Sequence, residues 1–152
     1  MSSPAKEAAA TEAGAENVIY YEDFADQAKK LTDGKGVAAV YDGVGAATFD
    51  GSLASLRPRG VLVLYGTASG PTAPLDIPRL NSGGSLYVTR PSVVHYTATT
   101  EELRSRAADV FGWIADGRLQ VHIGGEYPLA DAAKAQADLE SRATTGKLLL
   151  RP

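Results

Sequence analysis

Residues 37–70, VAAVYDGVGAATFDGSLASLRPRGVLVLYGTASG, constrain this chain more than any other stretch. An apolar run over residues 37–41 is closed by Asp42 and two glycines, Gly43 and Gly45. A helix-period segment follows, with Phe49, Leu53 and Leu56 spaced by four and then three. Arg57-Pro58-Arg59-Gly60 stops it, and a second apolar run covers residues 61–65. Gly66 then opens another turn of small residues that ends at Gly70. The order strand, crossover helix, strand predicts a parallel pair. In parallel sheets ligands bind at the carboxyl ends of the strands. The turns at 43–45 and 66–70 are therefore expected on one ligand-facing edge.

The flanks extend or cover this unit. Ser3-Pro4 reads as an N-cap and first helical residue, and residues 5–13 are strong helix formers stopped by Gly14. Residues 18–21, VIYY, predict a short strand. Asp23 is placed to cap a helix with apolar face Phe24, Ala28 and Leu31, ended by Gly34. Residues 71–78 are a proline-rich, exposed-looking loop. After Gly83-Gly84 a fourth strand runs from Ser85 to Thr89 and stops at Arg90-Pro91. Thr99 and Glu102 match a capping box. The helix behind it carries Leu103, Ala107, Val110, Phe111 and Ile114 on one face and ends near Asp116-Gly117. Residues 119–123 predict a brief strand and Tyr127-Pro128-Leu129 an extended piece. Asp131 caps a last helix through Leu139, and residues 147–150 form a closing strand.

Bulk properties exclude several classes. The 152 residues carry a formal net charge of -3 and no long basic run, which does not suggest a nucleic-acid groove. There is no cysteine, so disulfides and thiolate metal sites are ruled out, and His95 and His122 are too far apart for a local metal motif. No apolar run approaches the roughly 20 residues of a membrane helix. The N-terminal residues lack the apolar stretch of a signal peptide. The expectation is a cytoplasmic protein without a membrane or nucleic-acid partner.

The ordered set EAGAENVIYY, KGVAAVYDGVGAATFDGSLASLRPRGVLVLYGTASGP, GSLYVTRPS, TTEEL and YPLADAAKAQADLESRATTGKLLLRP resembles the zinc-independent quinone oxidoreductases. These belong to the medium-chain dehydrogenase/reductase superfamily and include zeta-crystallin. The likeness covers nearly the whole chain. It implies an α/β fold: a partial, doubly wound, Rossmann-like parallel sheet lacking its first two strands. Family members are about twice as long, and their nucleotide domain begins with a glycine-rich pyrophosphate loop. No such G-x-G-x-x-G stretch occurs here, because Ala46-Ala47-Thr48 follow Gly43-Val44-Gly45. The sequence starts where relatives have passed their second strand. In the family order 3-2-1-4-5-6 the segment 17–21 then loses its neighbour. It is expected either to dock irregularly or to pair beside the strand at 37–41. Residues 1–118 would be a partial NADPH-binding domain. Residues 119–152 would be a segment that packs in relatives on the catalytic domain.

The resemblance implies hydride transfer from NADPH to a quinone or related electrophilic alkene, with no metal and no obligatory acid–base residue. It places Lys6 near the adenosine 2′-phosphate, where the plainer reading is an exposed helix lysine. Tyr21 would lie near the same phosphate and adenine, or simply pack at a strand end. Gly43-Val44-Gly45 match the family's D-S-V-G, with Gly43 for the usual serine. Tyr65, Gly66, Thr67, Ala68 and Ser69 match the segment beside ribose and nicotinamide, with Tyr65 for the usual phenylalanine. Arg90 and Pro91 would end a strand near the nicotinamide. Arg142 would reach back to the cofactor, or pair with its own helix C-terminus. The resemblance also implies that the strand from Ser85 to Thr89 lies at a sheet edge and pairs with its copy in a homodimer, with which its lack of charge agrees. Two functional classes stay open: an NADPH:quinone oxidoreductase-type protein, and a non-catalytic piece that retains a dimer edge and weak nucleotide contacts. A nucleic-acid-binding or crystallin-like role is disfavoured by the acidic balance.

Overall fold

The computed structural model describes residues 4–141 and 144–152. The chain divides into two compact units, residues 1–96 and 97–152.

In the first unit, Pro4–Lys6 form a 3-10 turn that continues as α1 (Glu7–Glu12). Proline suits this place because a first-turn amide has no intrahelical partner. The helix α2 (Phe24–Lys30) follows, then β1 (Val37–Asp42), α3 (Phe49–Ala54) and β2 (Leu56–Leu64). Next come α4 (Pro78–Ser82), β3 (Tyr87–Thr89) and α5 (Val93–Tyr96). The sheet order is β1-β2-β3, all parallel. Val40 pairs with Leu62 and Leu62 with Val88, so the strand–helix–strand pattern folds as expected. Phe49, Leu53, Leu56, Leu62, Leu64 and Leu86 form the core. Leu75 and Leu80 pack against it, so the proline-rich loop and α4 cover the sheet rather than merely hang from it.

Three local expectations need correction. Residues 18–21 form no strand, and neither do they pair beside β1. A strand needs a ladder partner, and this stretch has none among the described residues. It docks irregularly, the other outcome expected from sequence, and the Tyr20 hydroxyl donates to Glu7 at 2.6 Å. Arg57-Pro58-Arg59-Gly60 does not precede β2 but lies inside it, at a register shift between the Val37–Leu56 and Ala39–Val61 pairs. Pro58 has no amide for a ladder, and Arg59 adopts φ 61° with its amide turned to the Gly84 carbonyl at 2.8 Å. Asp23 precedes α2 but makes no capping bond; its φ is 52° and its carboxylate accepts from Gln27 Nε2 at 2.7 Å. The proposed cap Ser3 lies outside the described residues.

The second unit holds α6 (Thr100–Ala115), β4 (Ile123–Pro128), α7 (Ala132–Glu140) and β5 (Lys147–Arg151). The Thr99 capping box is present: its hydroxyl accepts from the Glu102 amide at 3.1 Å and the Glu102 carboxylate accepts from the Thr99 amide at 3.1 Å. β4 and β5 pair in parallel. The strand begins at Ile123, four residues later than the predicted start at 119, and takes in Tyr127-Pro128. Asp131 makes no side-chain capping bond at the start of α7. The apolar face of α6 is exposed: Leu103 at 53%, Phe111 at 68% and Trp113 at 43%. No helix among the described residues is long and apolar enough to cross a membrane.

Candidate functional site

β1 ends at Asp42, and the turn that follows is organised by this carboxylate. Asp42 is only 4% exposed. Its Oδ1 accepts from the amides of Val44 at 2.8 Å and Gly45 at 3.1 Å. The Thr48 hydroxyl donates to the carboxylate at 2.8 Å and the Ser52 hydroxyl donates to Oδ2 at 2.8 Å. Burial pushes the Asp42 carboxyl upward. The bonds from Gly45, Thr48, Ser52 and Val44 together prevail and hold it below the usual carboxylate range. Thr48 and Ser52 stand one turn apart at the start of α3, so one acidic residue fixes both the turn and the helix.

The two small-residue turns are bonded to each other. The amides of Tyr65 and Gly66 donate to the Asp42 carbonyl, and Ala68 and Ser69 donate to the carbonyls of Gly43 and Val44. Ala46 donates to the Gly70 carbonyl. The Ser69 hydroxyl donates to the Val44 carbonyl at 2.7 Å and accepts from the Ala47 amide at 2.9 Å. Gly66 is required by contact, since a Cβ there would lie 2.5 Å from the Gly43 carbonyl oxygen. Gly45 is required twice over, by φ 90° and by the Gly70 carbonyl oxygen, which a Cβ at position 45 would approach to 2.8 Å. The expected shared edge is therefore what the chain builds.

Beside this edge lies an open groove of about 510 Å³. Tyr21, Tyr41, Tyr65 and Phe24 line it with Ile19, Val40 and Val44, over a floor that includes Gly43 and the Asp42–Thr48–Ser52 cluster. Its walls suit a flat heteroaromatic ring, with apolar faces and polar edges. Of the residues expected from sequence, Tyr21, Gly43, Val44 and Tyr65 line the groove, and residues 66–69 form the adjoining turn. Lys6, Arg90 and Pro91 are not among the lining residues. Arg142 lies outside the described residues. Sequence reasoning missed Thr48 and Ser52, and treated Asp42 only as a strand terminator. The available signal was an acid ending an apolar strand, with two hydroxyl residues one helical turn apart after it.

A family model described as zinc-binding dehydrogenase matches residues 13–150. The chain belongs to the zinc-binding dehydrogenase family. A Pseudomonas aeruginosa quinone oxidoreductase is 42% identical over 154 aligned positions, covering 100% of this chain and 47% of that protein. A mycobacterial protein solved in complex with NADPH has a TM-score of 0.94 at 50% identity, covering 100% of this chain and 48% of its own. The Escherichia coli quinone oxidoreductase, also solved with NADPH, has a TM-score of 0.93 at 43% identity, covering 99% and 47%. The chain thus spans about half the length of these relatives and corresponds to their C-terminal half. The sequence has no cysteine, and no cluster of three or more His, Asp or Glu residues that could hold a metal ion forms among the described residues.

Proposed function

We propose that this chain is the NADPH-binding half of a quinone oxidoreductase-type protein, which passes hydride from NADPH to a quinone or related electrophilic alkene. The observation that carries this reading is the aromatic groove at the carboxyl edge of the β1–β2 pair, in a family whose solved members include NADPH complexes. The cofactor supplies the hydride chemistry. Tyr21, Tyr41 and Tyr65 would flank its rings, and the turns at 43–45 and 66–70 would form the wall behind them. The residues fit a ring better than a pyrophosphate. The amides of residues 44–48 and of Tyr65, Gly66, Ala68, Ser69 and Gly70 all have acceptors within the protein. Few backbone donors are left for phosphate oxygens. In the same reading Lys6 serves the 2′-phosphate, Arg90 and Pro91 the nicotinamide end, and Arg142 the cofactor.

This reading keeps the functional division at residue 118, a cytoplasmic location, and a homodimer through the β3 edge. Val88→Pro tests the edge: a halved mass in light scattering supports pairing there, and an unchanged mass opposes it. The spent amides favour one refinement, that the 152-residue chain binds NADPH weakly and turns over no quinone alone. NMR titration with NADPH tests both parts. Shifts concentrated at Tyr21, Gly43, Val44 and residues 65–69, with no reduction of a simple benzoquinone, are expected. Shifts elsewhere, or none at millimolar NADPH, would overturn the cofactor assignment. Turnover by the isolated chain would overturn the refinement.

A further inference from the structure

The sheet edge opposite the aromatic groove carries a second cleft. Residues 32–36 lead into β1 and residues 57–59 lie near the start of β2, so both segments stand at the amino ends of the parallel pair. Together they line an open cleft of about 760 Å³. Lys35, Arg57 and Arg59 contribute to it, with Asp33 as the single carboxylate. The lining thus has a formal excess of two positive charges, in a chain whose net charge is -3. All four residues are exposed, and among the described residues none of the three cations takes an ion pair.

The backbone holds this cleft in shape. Gly36 is buried against the start of β2, where a Cβ would lie 2.7 Å from the Ser55 carbonyl oxygen and 2.8 Å from the Arg57 amide nitrogen. The Gly36 amide donates to the Thr32 hydroxyl at 2.9 Å. Pro58 packs on Gly84, whose Cβ would come to 3.0 Å from the Pro58 Cα, and the Gly84 carbonyl accepts from the Arg59 amide. Arg59 is held at φ 61°, a left-handed conformation that its side chain disfavours, although a glycine stands beside it at position 60. Non-glycine residues in this conformation cluster at functional sites. The cations are not needed as caps for α2, because the carbonyls of Gln27, Ala28, Lys29 and Lys30 accept from residues 31–34. Scattered surface cations stay hydrated, whereas a pre-shaped cleft of one sign of charge concentrates counter-ions and lowers the ordering cost of binding one.

We propose that Lys35, Arg57 and Arg59 form an anion site for the phosphate group of a small soluble molecule. The planar forks of two arginines match phosphate oxygens in pairs, and a phosphate dianion cancels the excess charge of the lining. Asp33 opposes the anion and holds its affinity down. The site is independent of the NADPH reading, since the cleft and the aromatic groove lie at opposite ends of the β1–β2 pair.

The test is NMR titration of the chain with inorganic phosphate at slightly alkaline pH, with sodium chloride holding the ionic strength constant, and thermal unfolding of each variant. Saturable shifts centred on residues 32–36 and 57–60 are expected. Arg57→Gln should bind phosphate about fivefold more weakly, the worth of one hydrogen bond at an exposed site. Arg59→Gly should weaken binding by a similar factor yet melt no earlier than the wild type, because glycine accepts the left-handed backbone. That split separates a binding role from a structural one. Asp33→Asn removes the opposing charge, and asparagine tolerates the φ of 52° found there, so binding should tighten about threefold. Shifts that do not saturate, or that chloride alone reproduces, would overturn the site. So would wild-type affinity in both arginine variants. Binding of phosphatidic acid vesicles or of an RNA oligonucleotide at the cleft, without binding of inorganic phosphate, would overturn the small-molecule assignment.

Discussion

The two units of this chain carry similar local signals and use them differently. In the first, helices and strands converge on Phe49, Leu53, Leu56, Leu62, Leu64 and Leu86, with Leu62 fully buried. In the second, the buried hydrophobic residue among those described is Ala135. Leu149 and Leu150 on β5 are 41% and 43% exposed, and α6 presents Phe111 and Leu103 to solvent. A parallel sheet ordinarily has both faces covered, and two strands alone make a marginal sheet. The difference teaches that capping and periodicity place elements, whereas burial needs enough neighbouring elements to close a core. The first unit closes its own core; the second has elements whose apolar faces await cover.

The strongest way to break this contrast is Leu62→Ala. It removes a fully buried side chain from the central strand, and a loss of about 3 kcal/mol is expected. Leu150→Ala, on a half-exposed strand, is expected to cost less than about 1 kcal/mol. Urea unfolding of both variants would settle it; equal costs would mean that the second unit has a core of comparable worth.

Next in size is Asp42, which ties the turn after β1 to the start of α3. Asp42→Ala strands two amides and two hydroxyls, and about 2–3 kcal/mol of stability should go with it. The pH dependence follows from the direction of its shift. Folding lowers the Asp42 pKa, so its stabilisation is complete above the unfolded carboxylate value of about 4 and fades as pH falls through the lower folded value. Asp42→Asn should flatten the acid limb of stability in the first unit. An acid limb unchanged from the wild type would show that other carboxylates set it.

The same contrast explains how much was legible beforehand. The β1–α3–β2 crossover, the shared edge of the two glycine turns and the Thr99 capping box all follow from short-range pattern, and all are present. Residues 18–21 have strand composition, but a strand is a relation between two segments, and composition does not provide the second one. The Arg57–Gly60 stretch looked like a terminator because proline and glycine break helices. A bulge can absorb both inside a strand, and only the partner's register reveals it. Of the residues that the family pattern named, Tyr21, Gly43, Val44 and Tyr65 line the groove. The Asp42–Thr48–Ser52 cluster was not legible, because hydroxyl residues near a helix start read as ordinary caps. The contact between Gly43 and Tyr65 joins positions 22 apart in sequence, which no local pattern reports.

A smaller effect is expected at the capping box of α6. Thr99→Ala removes the hydroxyl that accepts from the Glu102 amide and should cost about 1 kcal/mol of local helix stability. Because α6 gains little from burial, the loss should appear as faster amide exchange through its first turn, while β2 exchange is unchanged. Equal acceleration in both units would mean that they unfold together, and the contrast between them would then concern packing but not cooperativity.

The smallest expected effect is also the most pointed test of the contrast. Phe111 is 68% exposed on α6, so replacing it should cost almost nothing despite its size. Serine and phenylalanine have similar intrinsic helix propensities, which removes the backbone as a confounding factor. Phe111→Ser is therefore expected to change stability by less than about 0.5 kcal/mol, as surface substitutions do. A buried phenylalanine truncated this far would instead cost several times more, about 3 kcal/mol or above. Chemical unfolding with a probe in α6 separates the two. A large cost would place Phe111 against a partner surface and show that the second unit's apolar face is already covered. A negligible cost, together with improved solubility, would establish that face as exposed apolar surface of the kind soluble chains ordinarily bury.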